Sequence, residues 1–511
     1  MTRIPPAAAR LGLAALLAAL VVAAPALAQV APASVDDVQR QVAQVRGLEL
    51  LEPVPTTTMD RGALQAVLTR DLESDLAIRE YRATGILYEA LGLVPPGFDP
   101  RLFRIRVLRE HVGSLYDRAG RRLIVLDEND PPTAFDKLIL AYETTHALRD
   151  QRAPIARSRP GMASSDDAAL AATALVEGDA MLVMNEWGRR FLTPDEKRSL
   201  DGPRPSSEAL AVAPPIVRAE IEFPYRAGRD FAARLVQVGG QEALDRALAA
   251  PPRSTEQILH PDKYLARDAP QSVSVPPLAD ALGDGWRQLR SGTLGELVLR
   301  GLIQDQLGYA EADTAAAGWG GDTYAVLQDA SGRRAVVVET AWDTEIDAAE
   351  FYNAYTRAVV QRFGSTQRPL VTQPSRNIWF AADRFVEIMK SGDHVRIVFA
   401  PDAATLDAID GQFASRAPVI LPTSPPSPAF TPATGAPPAG APATVPPAPP
   451  VPTAPTPATT LPFADDESAP EDPAPSAPVT LPALPLVPAP GPASPSEDRS
   501  PAIAPDPDDE S

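Results

Sequence analysis

The stretch Lys137-Leu138-Ile139-Leu140-Ala141-Tyr142-Glu143-Thr144-Thr145-His146-Ala147-Leu148-Arg149-Asp150-Gln151 decides how this chain is read. It belongs to a segment predicted to be helical from about Thr133 to Gln151. Phe135, Leu138, Ile139 and Tyr142 recur at the three- and four-residue spacing that gathers side chains on one buried face. Glu143 and His146 are three residues apart, so they are neighbours on the same helix surface. An ordinary amphipathic helix accounts for this pattern, and so does a second, chemical reading.

A metal-dependent hydrolase helix carries histidines at i and i+4, so that both imidazoles face one ion. It carries a glutamate at i+1 to take a proton from metal-bound water. Glu143 and His146 stand at the second and third of these places, and Tyr142 stands at the first. Glu-x-x-His alone is a weak signal. Further on, Ala174-Leu175-Val176-Glu177-Gly178-Asp179-Ala180 lies within a second predicted helix, about 166–191, and Glu177 follows His146 by 31 residues.

Working outward, Ser34 caps a helix marked by Val35, Val38, Val42 and Val45. A helical stretch runs from about Leu64 to Leu91 and is stopped by Gly92 and Pro95-Pro96. A hairpin is predicted next, with Val107 to Tyr116 as one strand, Asp117-Arg118-Ala119-Gly120 as the turn, and Arg122 to Leu126 as the return. More helix follows around 208–250. A second part, about 276–415, reads as helix (294–307), hairpin (323–328 and 334–341), helix (348–363), three strands (378–382, 384–389, 395–400) and a closing helix (404–413). The fold class is therefore α+β. A mainly helical domain at 35–270 carries a small antiparallel sheet, and a smaller α+β domain follows at 276–415.

The two ends differ in kind. Arg3 and Arg10 precede an uncharged apolar run from Leu11 to Ala24 and a small-x-small site at Ala26-Leu27-Ala28, the layout of a signal peptide over 1–28 with cleavage near Ala28. The run is shorter than the roughly 20 residues a spanning helix needs. Export to the periplasm, cell envelope or exterior is expected, with no transmembrane segment in the mature chain. The chain has no cysteine, which excludes disulfides, thiolate ligands and a lipid anchor on a cleavage-site cysteine. Residues 421–511 hold 29 of the 58 prolines, 11 acidic residues and one basic residue, Arg499. Such a Pro/Ala-rich acidic tail is expected to be disordered. The formal charge of −19 argues against nucleic acid as a partner.

Other residues receive plainer readings. His260 before Pro261 is expected to cap or pack a loop, His111 to be a solvated strand histidine, and His394 to be exposed after a Gly-Asp turn. Gly318-Trp319-Gly320-Gly321 is expected to be a tight turn around a packed tryptophan, since it does not join a strand to a helix start as a phosphate loop does. Phe351, Tyr352 and Tyr355 share one helix and are expected in the core.

Taken with Arg109-Glu110-His111-Val112-Gly113-Ser114-Leu115-Tyr116-Asp117, Ser254-Thr255-Glu256-Gln257-Ile258-Leu259-His260-Pro261-Asp262-Lys263-Tyr264, Gly318-Trp319-Gly320-Gly321-Asp322 and Trp342-Asp343-Thr344-Glu345, the helix motifs make residues 35–415 resemble the zincin metallopeptidases. The likeness is to the gluzincin branch, whose third ligand is glutamate, and more narrowly to exported bacterial zincin-like proteins. The resemblance implies Glu143 as general base, His146 and Glu177 as metal ligands, and an edge strand beside the helix that binds substrate backbone. It leaves Tyr142 where a histidine belongs and Met181 where relatives place a supporting carboxylate; Asp150 or Asp179 is the candidate to orient His146. A catalytic zinc usually holds three protein ligands and a water. A tyrosine must lose a proton of pKa near 10 to serve as one. The expectation is thus a protein with a degenerate metal site and no cofactor, which binds or scaffolds an unidentified protein or envelope component. Two alternatives stay open. One is an active zinc peptidase using Glu143 with His146, Glu177 and Tyr142. The other is a structural envelope protein acting through its tail.

Overall fold

The computed structural model describes residues 34–110, 113–126, 132–152, 166–201, 207–283, 285–363, 369–381 and 383–413. His111, the signal segment and the tail lie outside them.

Helix α1 (Val35–Arg46) starts at a capping box in which the Ser34 hydroxyl accepts the Asp37 N–H and the Asp37 carboxylate accepts the Ser34 N–H. It stops at Gly47, whose φ of 71° is open to glycine without strain. Strand β1 (Thr56–Met59) precedes α2 (Arg61–Thr69). The single stretch expected over 64–91 is divided. A 3-10 turn over Arg70–Glu73 leads to Ser74, whose hydroxyl caps a fresh helix, α3 (Asp75–Ala90).

The expected strand from Val107 is a correction. Residues 107–110 finish a helix, α4 (Pro100–Glu110). Asp99 accepts the N–H groups of Arg101 and Leu102, and Pro100 suits the first helical turn. Ile105 and Leu108 then face the core three residues apart. Only Leu115–Asp117 forms the outgoing strand, β2, and it pairs antiparallel with β3 (Arg122–Leu126). The small sheet is also not wholly antiparallel, because β1 joins β3 in parallel and the order is β1-β3-β2.

Helix α5 (Ala134–Asp150) opens on a capping box between Thr133 and Asp136. Then come α6 (Asp166–Phe191), the short α7 (Pro194–Ser199) and α8 (Glu208–Ala211), and α9 (Pro215–Ala249), which bends at Gly239 and Gly240. Helices α6 and α9 touch backbone to backbone. A Cβ on Gly178 would lie 2.1 Å from the Gly228 carbonyl oxygen, and one on Gly228 would lie 2.0 Å from that of Ala174. Two small turns of helix, α10 (Thr255–Leu259) and α11 (Pro261–Ala266), close this part.

Beyond α12 (Leu278–Ala281) lies an antiparallel seven-stranded sheet of order β4-β5-β6-β10-β9-β8-β7. Its strands are β4 (Arg287–Gly292), β5 (Trp319–Gln328), β6 (Arg334–Trp342), β7 (Val371–Gln373), β8 (Arg376–Ala381), β9 (Arg384–Ser391) and β10 (His394–Ala400). Helices α13 (Gly295–Leu307), α14 (Tyr309–Ala316) and α15 (Glu345–Phe363) share a core with one face, and α12 and α16 (Ala403–Gln412) with the other. The fold class is α+β, as expected. The largest apolar core is built from both parts, since Leu87 and Leu91 near the end of α3 and Ile216 and Ile221 of α9 join Trp319, Tyr324 and Val338 of the large sheet. Among the described residues no helix is long and apolar enough to cross a membrane.

Candidate functional site

Helices α5 and α6 pack side by side and bring Tyr142, Glu143, His146 and Glu177 together. All four are buried, with exposures of 0, 1, 4 and 2%. The Tyr142 hydroxyl donates a short hydrogen bond to Glu177 Oε2. His146 Nε2 lies 3.3 Å from the same oxygen, though off the hydrogen-bonding direction. The rings of Tyr142 and His146 meet edge to face with centroids 4.9 Å apart, one turn apart on α5. Glu143 points to the small sheet, where its Oε2 accepts the Tyr116 N–H at 2.8 Å. Its Oε1 and both ring nitrogens of His146 have no hydrogen-bond partner among the described residues.

The electrostatics follow from burial. Removal from water pushes the Glu143 carboxyl up to about 8, helped by repulsion from Glu177. Burial lowers the His146 imidazole, against the pull of Glu177. Burial and then the negative charge of Glu177 hold the Tyr142 phenol well above its ordinary range. Burial alone would raise Glu177, but His146 and the Tyr142 hydroxyl more than reverse this, so its carboxyl stays below the usual range. The phenol is therefore a neutral donor to an anionic acceptor.

Asp150 and Asp179 lie elsewhere than beside His146. Asp150 accepts the Tyr116 hydroxyl at 2.9 Å. Asp179 sits between two buried arginines, taking Arg149 Nη2 at 2.7 Å and Arg46 Nε at 3.0 Å. Arg46 continues to Asp245 at 2.5 Å, so this network ties α1, α5, α6 and α9. Neither arginine was legible as part of this neighbourhood, because Arg46 and Asp179 are 133 positions apart. Met181 is fully buried in the apolar core beside the cluster.

The remaining motifs meet at the seam between the two parts. Asp167, in the first turn of α6, accepts the Thr255 N–H and hydroxyl at 3.0 and 2.6 Å. Asp322 accepts the N–H groups of Leu294 and Gly295 at 2.7 and 2.8 Å and the Trp319 indole N–H at 3.1 Å. Lys263 Nζ reaches Asp343 at 2.6 Å. His260 Nε2 lies 2.9 Å from Glu296, a loop-packing role. Trp319 is buried as expected, but the stretch expected to be a tight turn is the start of β5, with the register shifted between Trp319 and Gly321 where it pairs with β6. His394, at the start of β10, is partly exposed. Phe351 stacks between Trp342 and Tyr355 in the core, with Tyr352 also buried.

A zinc ion, implied by the resemblance, needs a donor set that these side chains do not supply. The first ligand position is a phenol whose proton is directed onto Glu177, and the oxygen it occupies is the one nearest His146. Phenolate formation is opposed by burial. Among the described residues no cluster of three or more histidine, aspartate or glutamate side chains is arranged to hold a metal ion.

A family model described as "Domain of unknown function (DUF8575)" matches residues 285–410, which run from just before β4 into α16. No curated protein and no solved structure matches the chain.

Proposed function

We propose that this chain is an exported, zincin-like protein whose ancestral metal site has become a buried cluster in which Tyr142 bonds Glu177, and that it acts by binding or scaffolding at the cell envelope rather than by hydrolysis. The observation that supports this reading is the hydrogen bond from Tyr142 to Glu177. It satisfies the carboxylate with a proton donor from within the helix pair. The charged carboxylate of Glu177 is thereby compensated in a buried setting where an unpaired charge would cost several kcal/mol. Export rests on the signal-like segment at 1–28.

One observation favours the alternative of an active zinc peptidase with Glu143 as base and His146, Glu177 and Tyr142 as ligands. Glu143 Oε1 and both nitrogens of His146 are buried without partners, and buried polar atoms are usually satisfied. Metal analysis of the purified protein together with a casein hydrolysis assay separates the two readings. The scaffold reading expects neither bound zinc nor hydrolysis. One equivalent of zinc that disappears in Glu177→Ala would sink it.

A further inference from the structure

The edge of the small sheet gives Glu143 a use of its own. Tyr116 and Leu123 face each other across β2 and β3. Leu123 sends its N–H the other way, to the Pro55 carbonyl on the β1 side at 2.8 Å. Opposed residues in an antiparallel ladder either exchange both backbone hydrogen bonds or turn both N–H groups away from each other. Tyr116 therefore points its N–H out of the sheet. Strand β2 is an edge strand, and an outward N–H at an edge is a template for another strand.

That N–H is taken by Glu143 Oε2 at 2.8 Å, from a side chain only 1% exposed. The hydroxyl of the same tyrosine is held by Asp150, seven residues further along α5. One residue of β2 is thus fastened to α5 at both its backbone and its side chain.

We infer that Glu143 is an edge-strand cap: its Oε2 stands where the carbonyl oxygen of an added strand would stand, and it closes the β2 edge against an extended peptide. The inference rests on the non-catalytic reading of the site, in which Glu143 serves the strand amide and not a metal-bound water. It explains why a glutamate is useful at this position beside a tyrosine that has replaced the first ligand.

The test is hydrogen–deuterium exchange at residue resolution on the full mature chain, comparing wild type, Glu143→Gln and Glu143→Ala. The Tyr116 amide should be protected in wild type. It should stay protected in Glu143→Gln, whose side-chain oxygen still accepts, and exchange roughly tenfold faster or more in Glu143→Ala. Equal protection in Glu143→Ala overturns the cap. If Glu143→Ala does not fold, Glu143→Leu replaces it as the variant without an acceptor, with the same expectation. Free exchange of the Tyr116 amide in wild type overturns the cap without any variant. Zinc content is measured on the same samples. Bound zinc that depends on Glu177 removes the non-catalytic reading and the cap with it. A freely exchanging amide in zinc-free protein removes the cap alone.

Discussion

Asp179→Ala is the sharpest test of how the helix pair is held. Asp179 and Arg46 are each 1% exposed, and Arg149 is 6% exposed. The aspartate accepts from Nε and Nη2 of Arg149 at 2.8 and 2.7 Å and from Nε of Arg46 at 3.0 Å. Its removal leaves two buried guanidinium groups with one fewer counter-charge. Arg46 keeps Asp245, and Arg149 keeps the Val176 carbonyl at 3.2 Å. Breaking a buried ion pair from one side costs about 3–5 kcal/mol, and the retained partners place this case at about 3–4. Against a typical total of roughly 5–15 kcal/mol, that is a large share of the stability. The assay is urea unfolding followed by far-UV circular dichroism on the full chain at neutral pH. Asp179→Asn, which keeps one acceptor, should fall between Ala and wild type. Asp150→Asn, which alters the bond with the Tyr116 hydroxyl and a long ion pair with the exposed Arg121 at 3.9 Å, should cost about 1 kcal/mol. A loss below about 1 kcal/mol in Asp179→Ala would refute the argument, because it would mean that these buried arginines need no counter-ion.

Three further outcomes are expected. Gly178→Ala puts a methyl group into the Gly228 carbonyl and forces α6 and α9 apart; it should cost about 3 kcal/mol or more, at the upper end of overpacking because the obstacle is backbone, visible as a lowered melting temperature. Tyr142→Phe removes the donor to a buried carboxylate and should destabilise by about 1.5–3 kcal/mol in the same urea assay. Burial pushes the Asp322 carboxyl up to about 6, against the pull of its N–H donors, so the folded state holds this proton more tightly than the unfolded chain does. Its contribution is therefore present below about pH 4 and is lost as pH rises through 6; Asp322→Asn should flatten that fall, by on the order of 2–3 kcal/mol, in unfolding curves measured from pH 4 to 7.

Much of the fold could be read from the residues, and the reasons are local. Helix α5 announces itself through Thr133 and Asp136, whose capping box is a three-residue signal, and α6 through an uninterrupted run from Asp166. Five of the seven strands of the large sheet are legible within a few residues because turns such as Ser391-Gly392-Asp393 punctuate them, whereas the two outermost, β4 and the three-residue β7, are not. The errors are non-local or ambiguous. Val107-Leu108 suits a strand as well as a helix, and the cap that decides the matter is Asp99, eight residues before Val107. Strand β1 is four residues long and exists through its parallel pairing with the distant β3. At the site, the likeness of Glu143, His146 and Glu177 to a ligand set is visible in the residues, as is the tyrosine at the first ligand position. The commitment of Glu143 to the Tyr116 amide and of Asp179 to two arginines was not, since both depend on where another element's backbone or side chain ends up.

The central claim is that one side chain, Tyr142, stands between this cluster and a metal centre. Zinc content per chain, measured by elemental analysis on wild type and Tyr142→His purified in parallel with equal zinc exposure, tests it most directly. The account predicts substoichiometric zinc in wild type, because the phenol proton occupies Glu177, and close to one equivalent in Tyr142→His, where a second imidazole faces the ion and that proton is gone. A full equivalent in wild type that is lost in Glu177→Ala, or zinc-free Tyr142→His protein that is folded, would contradict it.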